Sequence, residues 1–181
     1  MTSLIKHIVV MVILVVTAFS CDQNASLQTY FVDNQEKPNF LSIDAPVSML
    51  KIDETKLNED QKDAYNSVKK LNMLAYKKDS INTTDFEAEF SKVKTILDDK
   101  KYTELMRGGN STDGKFMVKY LGEDDNIDEF ILFGSSKAMG FAIVRVLGND
   151  MDPDKLMQLS SVIQQGNFDD SQLNQVMDFF K

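Results

Sequence analysis

One cysteine, one histidine and no tryptophan occur in 181 residues. His7 and Cys21 both sit in or beside an apolar N-terminal run, which is expected to be cut away with Cys21 acylated at the new end. The remaining chain then has neither imidazole nor free thiol. That excludes Cys nucleophiles, Ser–His–Asp triads, His/Cys zinc sites and C-x-x-C redox chemistry, and it leaves nothing to form a disulfide. No metal and no cofactor are expected. Proline (3) and glycine (8) are too few for low-complexity stretches. Basic charge is also short, with 20 Lys and Arg against 28 Asp and Glu and a net charge of −8. An acidic chain repels phosphate backbones, so no nucleic-acid partner is expected.

What is present begins with that run. Met1–His7 carries Lys6 and the terminal amine, and Ile8–Phe19 is almost continuously apolar. About twenty apolar residues are needed to span a bilayer, whereas a shorter run suits the core of an export signal. Ala18-Phe19-Ser20-Cys21 follows, similar to a lipobox cleaved between Ser20 and Cys21 with the Cys thiol acylated, although Ala18 stands where Leu is usual. The expected organisation is a lipoprotein signal peptide over 1–20, lipidated Cys21 and a polar tether over 21–39, and one domain over 40–181. The acyl chains, each buried CH₂ contributing ~0.8 kcal/mol, would hold the protein on a bacterial envelope membrane. The expected location is the outer membrane, with the domain in the periplasm or at the cell surface.

Within the domain, Phe40–Leu50 reads as a strand whose Pro46 belongs at an edge. Asn58-Glu59-Asp60-Gln61 has the form of a capping box opening a short helix. Leu71, Met73 and Ala75 give a second strand by alternation. Thr84-Asp85-Phe86-Glu87 reads as another capping box, opening a helix to about Lys100 with Phe86, Phe90, Val93 and Leu97 on one stripe. Tyr102–Arg107, Lys115–Leu121, Asp128–Gly134 and Gly140–Leu147 follow as extended segments, with Gly108-Gly109-Asn110 and Asp113-Gly114 as turn chemistry. Asp152 and Pro153 open a helix that Gly166 ends, and Leu173, Val176, Met177 and Phe180 mark a last one. The expected class is α+β: one mixed or mostly antiparallel sheet of about six strands, order β-α-β-α-β-β-β-β-α-α, with helices packed on it.

Four stretches occur in order: Tyr102-Thr103-Glu104-Leu105-Met106, Gly114-Lys115-Phe116-Met117-Val118, Glu129-Phe130-Ile131-Leu132-Phe133, and Gly148-Asn149-Asp150-Met151-Asp152-Pro153. With the Cys21 signal, the chain resembles the small lipoproteins of Bacteroidota that carry a domain of unknown function. The resemblance covers 40–163. It implies an envelope setting, often beside extracytoplasmic-function sigma factors and their anti-sigma partners, and it brings no catalytic residue.

Other patterns are weaker. Ser48-Met49-Leu50-Lys51 has S-x-x-K spacing, but in a strand and without the companion motifs. Asp150-x-Asp152-x-Asp154 has the start of a calcium loop without its Gly or its Glu. Glu123, Asp124, Asp125, Asp128 and Glu129 read as a solvated turn rather than a cation site. Asp79-Ser80-Ile81 fits a short O-glycosylation acceptor pattern, making Ser80 a candidate. Eight Met lie beyond Cys21, Met106, Met117, Met139 and Met157 among them, and core packing is their default role. The expectation is a non-catalytic binding or regulatory module with an envelope protein partner. The alternatives are a hydrolase working with carboxylates alone, which needs two converging buried acids, and a carrier with a Met- and Phe-lined cavity.

Overall fold

A computed structural model describes residues 25–49, 52–110, 112–124, 126–165 and 178–179. The expected signal, Ser20 and Cys21 lie outside these, as do most residues of the expected last helix.

The first element is a helix where a tether was expected. Leu27–Asn34 (α1) starts at Ser26, whose hydroxyl accepts the Thr29 N–H, and it buries Leu27, Tyr30 and Phe31. The i, i+3, i+4 spacing of those three is the signal for an amphipathic turn. It is only eight residues long and flanked by polar sequence, so composition alone reads it as linker.

Phe40–Pro46 (β1) is shorter than expected, because a 3-10 turn takes over at Val47–Met49. Glu59–Ser67 (α2) has the expected capping box: Asn58 Oδ1 accepts from Gln61 N at 2.9 Å and Gln61 Oε1 accepts from Asn58 N at 3.0 Å. Val68–Lys77 (β2) follows directly. Thr83–Leu97 (α3) starts one residue early, and Thr84 is not its cap. Asn82 holds that position with its side chain engaged elsewhere, accepting Asp79 N–H and donating to the Lys77 carbonyl.

The meander is Tyr102–Asn110 (β3), Gly114–Glu123 (β4), Asn126–Ser136 (β5) and Gly140–Met151 (β6). Gly108-Gly109-Asn110, expected as a turn, completes β3; the pairing runs out to Asn110 with Gly114. Gly140 sits at φ 125°, where a Cβ would meet the Tyr76 carbonyl oxygen at 2.0 Å, so this turn requires glycine. Pro153–Gln165 (α4) closes the described core, with Asp152 accepting the N–H groups of Asp154 and Lys155 as expected.

The six strands form one open sheet in the order β1-β2-β6-β5-β4-β3, every neighbouring pair antiparallel. The α+β class holds, with one helix added at the front. The edges are blunted: β1 ends on Pro46 and β3 carries a bulge between Glu104 and Met106.

One face packs under α1 and α3. Leu74, Tyr76, Ile131, Phe133, Phe141 and Ile143 meet Leu27, Phe31, Phe86, Val93 and Leu97 there. A ring cluster knits this layer, with Phe40 edge-on to Tyr76 at 4.8 Å and Tyr76 stacked on Phe141 at 5.6 Å. The other face meets α2 and α4 at one end only. Ala64, Leu156 and Leu159 pack there against Tyr120, Ile127 and Met151.

Candidate functional site

The registers of the five pairings line up side chains in rows across the sheet. On the α1/α3 face, one row is Asp44, Asn72, Arg145, Ile131, Lys119 and Glu104. Arg145 and Glu129 are nearly sealed from solvent, with side chains 4% and 6% exposed. Arg145 donates twice to the Glu129 carboxylate, from Nε to Oε1 at 2.6 Å and from Nη2 to Oε2 at 3.0 Å. Its third arm, Nη1, reaches Gln28 Oε1 on α1 at 2.8 Å, and the Phe31 ring lies 5.0 Å from Cζ. Such a fork satisfies a buried carboxylate with two charge-assisted bonds. Lys119, also buried, donates to the Tyr102 carbonyl at 3.3 Å.

Glu129 is the one buried carboxylate among the described residues, and both its oxygens are taken. The carboxylate-only hydrolase requires a second buried acid beside it, which the described residues do not supply. Phenols mark the same layer. Burial, then a hydrogen bond to Glu89, pushes the Tyr30 hydroxyl far above its ordinary pKa. Burial likewise raises Tyr76 and Tyr102.

The opposite face carries the candidate site. Two adjacent rows there hold no charged residue at any position. One is Leu41, Ala75, Ala142, Gly134, Phe116 and Gly108; the next is Ile43, Met73, Val144, Leu132, Val118 and Met106. The helices α2 and α4 cover the third row, through Leu71, Val146, Phe130 and Tyr120, and stop short of these two. Phe116 (43%), Leu132 (42%), Met106 (42%) and Met139 (50%) therefore stay half exposed. Small residues, Gly134 and Ala142, floor a groove of 570 Å³ walled by Phe116, Met139 and the Asp113-Gly114-Lys115 turn. The groove is open along the sheet rather than enclosed between layers. Large apolar side chains gathered in one contiguous band are what distinguishes a docking surface from scattered exposure.

The remaining positions of the sequence reading resolve simply. Asp150, at φ 52°, accepts from Asn126, while Asp152 caps α4. Asp124 accepts from the Tyr120 hydroxyl and Glu129 faces Arg145, so these two carboxylates of the acidic turn point to different partners, and Asp125 lies outside the described residues. Among the described residues no group of His, Cys, Asp or Glu could hold a metal ion. Ser48 is exposed in the 3-10 turn, and Lys51 lies outside the described residues. Ser80 is exposed at a loop tip where Asp79 accepts the N–H groups of Ile81 and Asn82, and Ile81 is 94% exposed. Of the four methionines named from sequence, Met106, Met139 and Met157 are substantially exposed rather than core, because they fall where no helix covers the strand or turn or on the outer side of α4. No helix among the described residues is long and apolar enough to cross a membrane.

Sequence reasoning missed the Arg145–Glu129 pair and the band, although both had a signal. Arg145 shares the parity of Phe141 and Ile143, and Glu129 that of Ile131 and Phe133, so each charge sits on an inward position that demands a partner. On β4, β5 and β6 both parities are apolar, which means both faces of the sheet seek cover.

Fold and surface together define an α+β domain with a single antiparallel sheet, sealed on one face and partly bare on the other. Residues 30–159 match the family model described as a domain of unknown function, DUF4252, and the chain belongs to that family. No curated protein and no solved structure matches the chain.

Proposed function

We propose that this is a non-catalytic, lipid-anchored module of a bacterial envelope that acts by docking a protein partner. The observation that carries the reading is the charge-free band on the β3–β6 side of the sheet, where Met106, Phe116 and Leu132 stay half exposed beside Met139. Methionine is flexible and polarizable, and it suits a surface that must repack around a partner. The groove's open shape fits a protein contact better than a carrier's cavity. The anchor rests on the sequence: the apolar run, Ser20 and Cys21 set the domain beside a membrane, probe-ready for proteins of the same envelope. The Bacteroidota resemblance supplies the regulatory setting, and the exposed Ser80 tip is the proposed acceptor for a glycan.

The test has two arms in intact cells. Fed a radiolabelled fatty acid, the wild-type protein carries label, and the Cys21→Ser variant does not. Pull-down from crosslinked envelopes returns a reproducible partner for wild type and loses it with Leu132→Asp. An unlabelled wild-type protein would refute the anchor, and identical recoveries from both chains would refute docking through the band.

A further inference from the structure

The longer free edge of the sheet is β3, which among the described residues has a strand neighbour only on the β4 side. Its bulge sets Glu104 opposite Lys119 and Met106 opposite Val118, so Leu105 is the extra residue. The insertion changes parity. Residues three apart in a plain strand lie on opposite faces. Here Glu104 and Arg107 share a face, and Arg107 donates to the Glu104 carboxylate from Nε and Nη2, both at 2.5 Å. Their side chains are 26% and 71% exposed.

The backbone keeps the same count. Tyr102 turns its N–H away from β4, to the Asp99 carbonyl at 3.0 Å. Alternate residues of an edge strand point outward together, so Glu104 does the same, and past the extra Leu105 so does Arg107. With Leu105 set aside, these opposite charges stand one position either side of Met106, an arrangement complementary to itself. In an antiparallel pairing of two β3 strands centred on Met106, Glu104 of each copy stands opposite Arg107 of the other. Each such pair exchanges two backbone hydrogen bonds and faces opposite charges across the seam. A bulge discourages an ordinary strand from adding to an edge. It favours a second copy, which brings the same extra residue at the same place.

The other side of the seam is apolar. Met106 meets Met106 of the second copy, and the Phe116 ring lies over Gly108, where a Cβ would come within 2.6 Å of it. A single band leaves on the order of 400 Å² of apolar side chain open, about half of the ~800 Å² that each partner of a stable contact supplies. Two bands joined at the seam reach that size.

We propose that two copies of this chain pair antiparallel through β3, centred on Met106, with Glu104 and Arg107 exchanged between them, so that one sheet and one apolar band run across both. The use of the joined band for docking rests on the reading above; the pairing itself does not.

The test uses the purified full-length chain in detergent under a mild oxidant, read by non-reducing electrophoresis. Wild type, which holds only Cys21, sets the background. Met106→Cys is expected to give a disulfide-linked dimer, because directly opposed residues of an antiparallel pair lie within a disulfide's reach. Leu132→Cys is expected to stay at background, since its two copies are five strand spacings apart, about 24 Å. In the Met106→Cys chain, Glu104→Arg or Arg107→Glu alone opposes like charges and is expected to lower the dimer about tenfold. Mixing those two variants restores opposite charges only between chains, so the dimer is expected to return although neither chain has its own ion pair. Equal crosslinking at positions 106 and 132, none at 106, or a mixture no better than its components would overturn the proposal. If the pairing fails while the envelope pull-down still loses its partner with Leu132→Asp, the docking reading stands on a single band.

Discussion

The two faces of this sheet are made from the same strands and finished in opposite ways. Beneath α1 and α3 the sheet is closed tightly enough to hold an arginine, a glutamate and a lysine out of water. On the reverse, α2 and α4 close one end and leave two uncharged rows half bare. Polarity of sequence does not separate them, since the sealed face is the one with the charges. What differs is helix cover: α1 supplies Gln28 and Phe31 to finish the Arg145 site, while no described helix reaches Leu132. Burying a charge makes a face intolerant of change, and half-exposed apolar side chains leave a face free to bind.

The comparison predicts a gradient of mutational cost. Arg145→Ala strands the Glu129 carboxylate in the core and should cost about 3–5 kcal/mol, read from urea unfolding. Replacing both partners, Arg145→Met with Glu129→Leu, should return most of that stability, because the penalty belongs to the unpaired charge rather than to the loss of the pair. Leu27→Ala removes a fully buried side chain from α1 and should cost about 2–5 kcal/mol. A loss near zero would make α1 the tether that its composition suggested.

The third effect is a pH dependence that burial of phenols gives the sealed face. Tyr30, Tyr76 and Tyr102 hold their protons more tightly folded than unfolded, chiefly through burial. Their contribution is complete below the unfolded phenol's value of about 10 and is lost as the pH climbs past it. The urea midpoint should therefore hold steady from neutral pH and fall above about pH 10, and Tyr30→Phe should flatten the fall. Smallest is the bare face: Leu132→Ser should change stability by only about 0.5–1 kcal/mol. A loss as large as that of Leu27→Ala would place Leu132 in the core and erase the distinction.

Much of this architecture was legible in the residues. The meander, the α2 capping box and the Asp152–Pro153 start were readable because each is local: alternation, a reciprocal side-chain cap, a fixed φ. α1 was not, since three buried side chains in eight residues gain their meaning only from the sheet beneath. The α3 cap was misread for a related reason: Thr84 has the right neighbours, but Asp79 and Asn82 organise the preceding loop first. The Arg145–Glu129 pair needs the β5–β6 register, which sequence spacing does not reveal. The band needed negative information, the knowledge of where helices stop.

The measurement that bears most directly on the account is site-specific photo-crosslinking in living cells, with p-benzoylphenylalanine at Leu132 in one strain and at Ile81 in another. Ile81 is the more exposed of the two, yet it stands alone at a loop tip. Position 132 should give a discrete covalent product with one envelope protein, and position 81 should give none. Equal silence at both positions, or an equal smear of products, would contradict the claim that the bare rows are built to be covered.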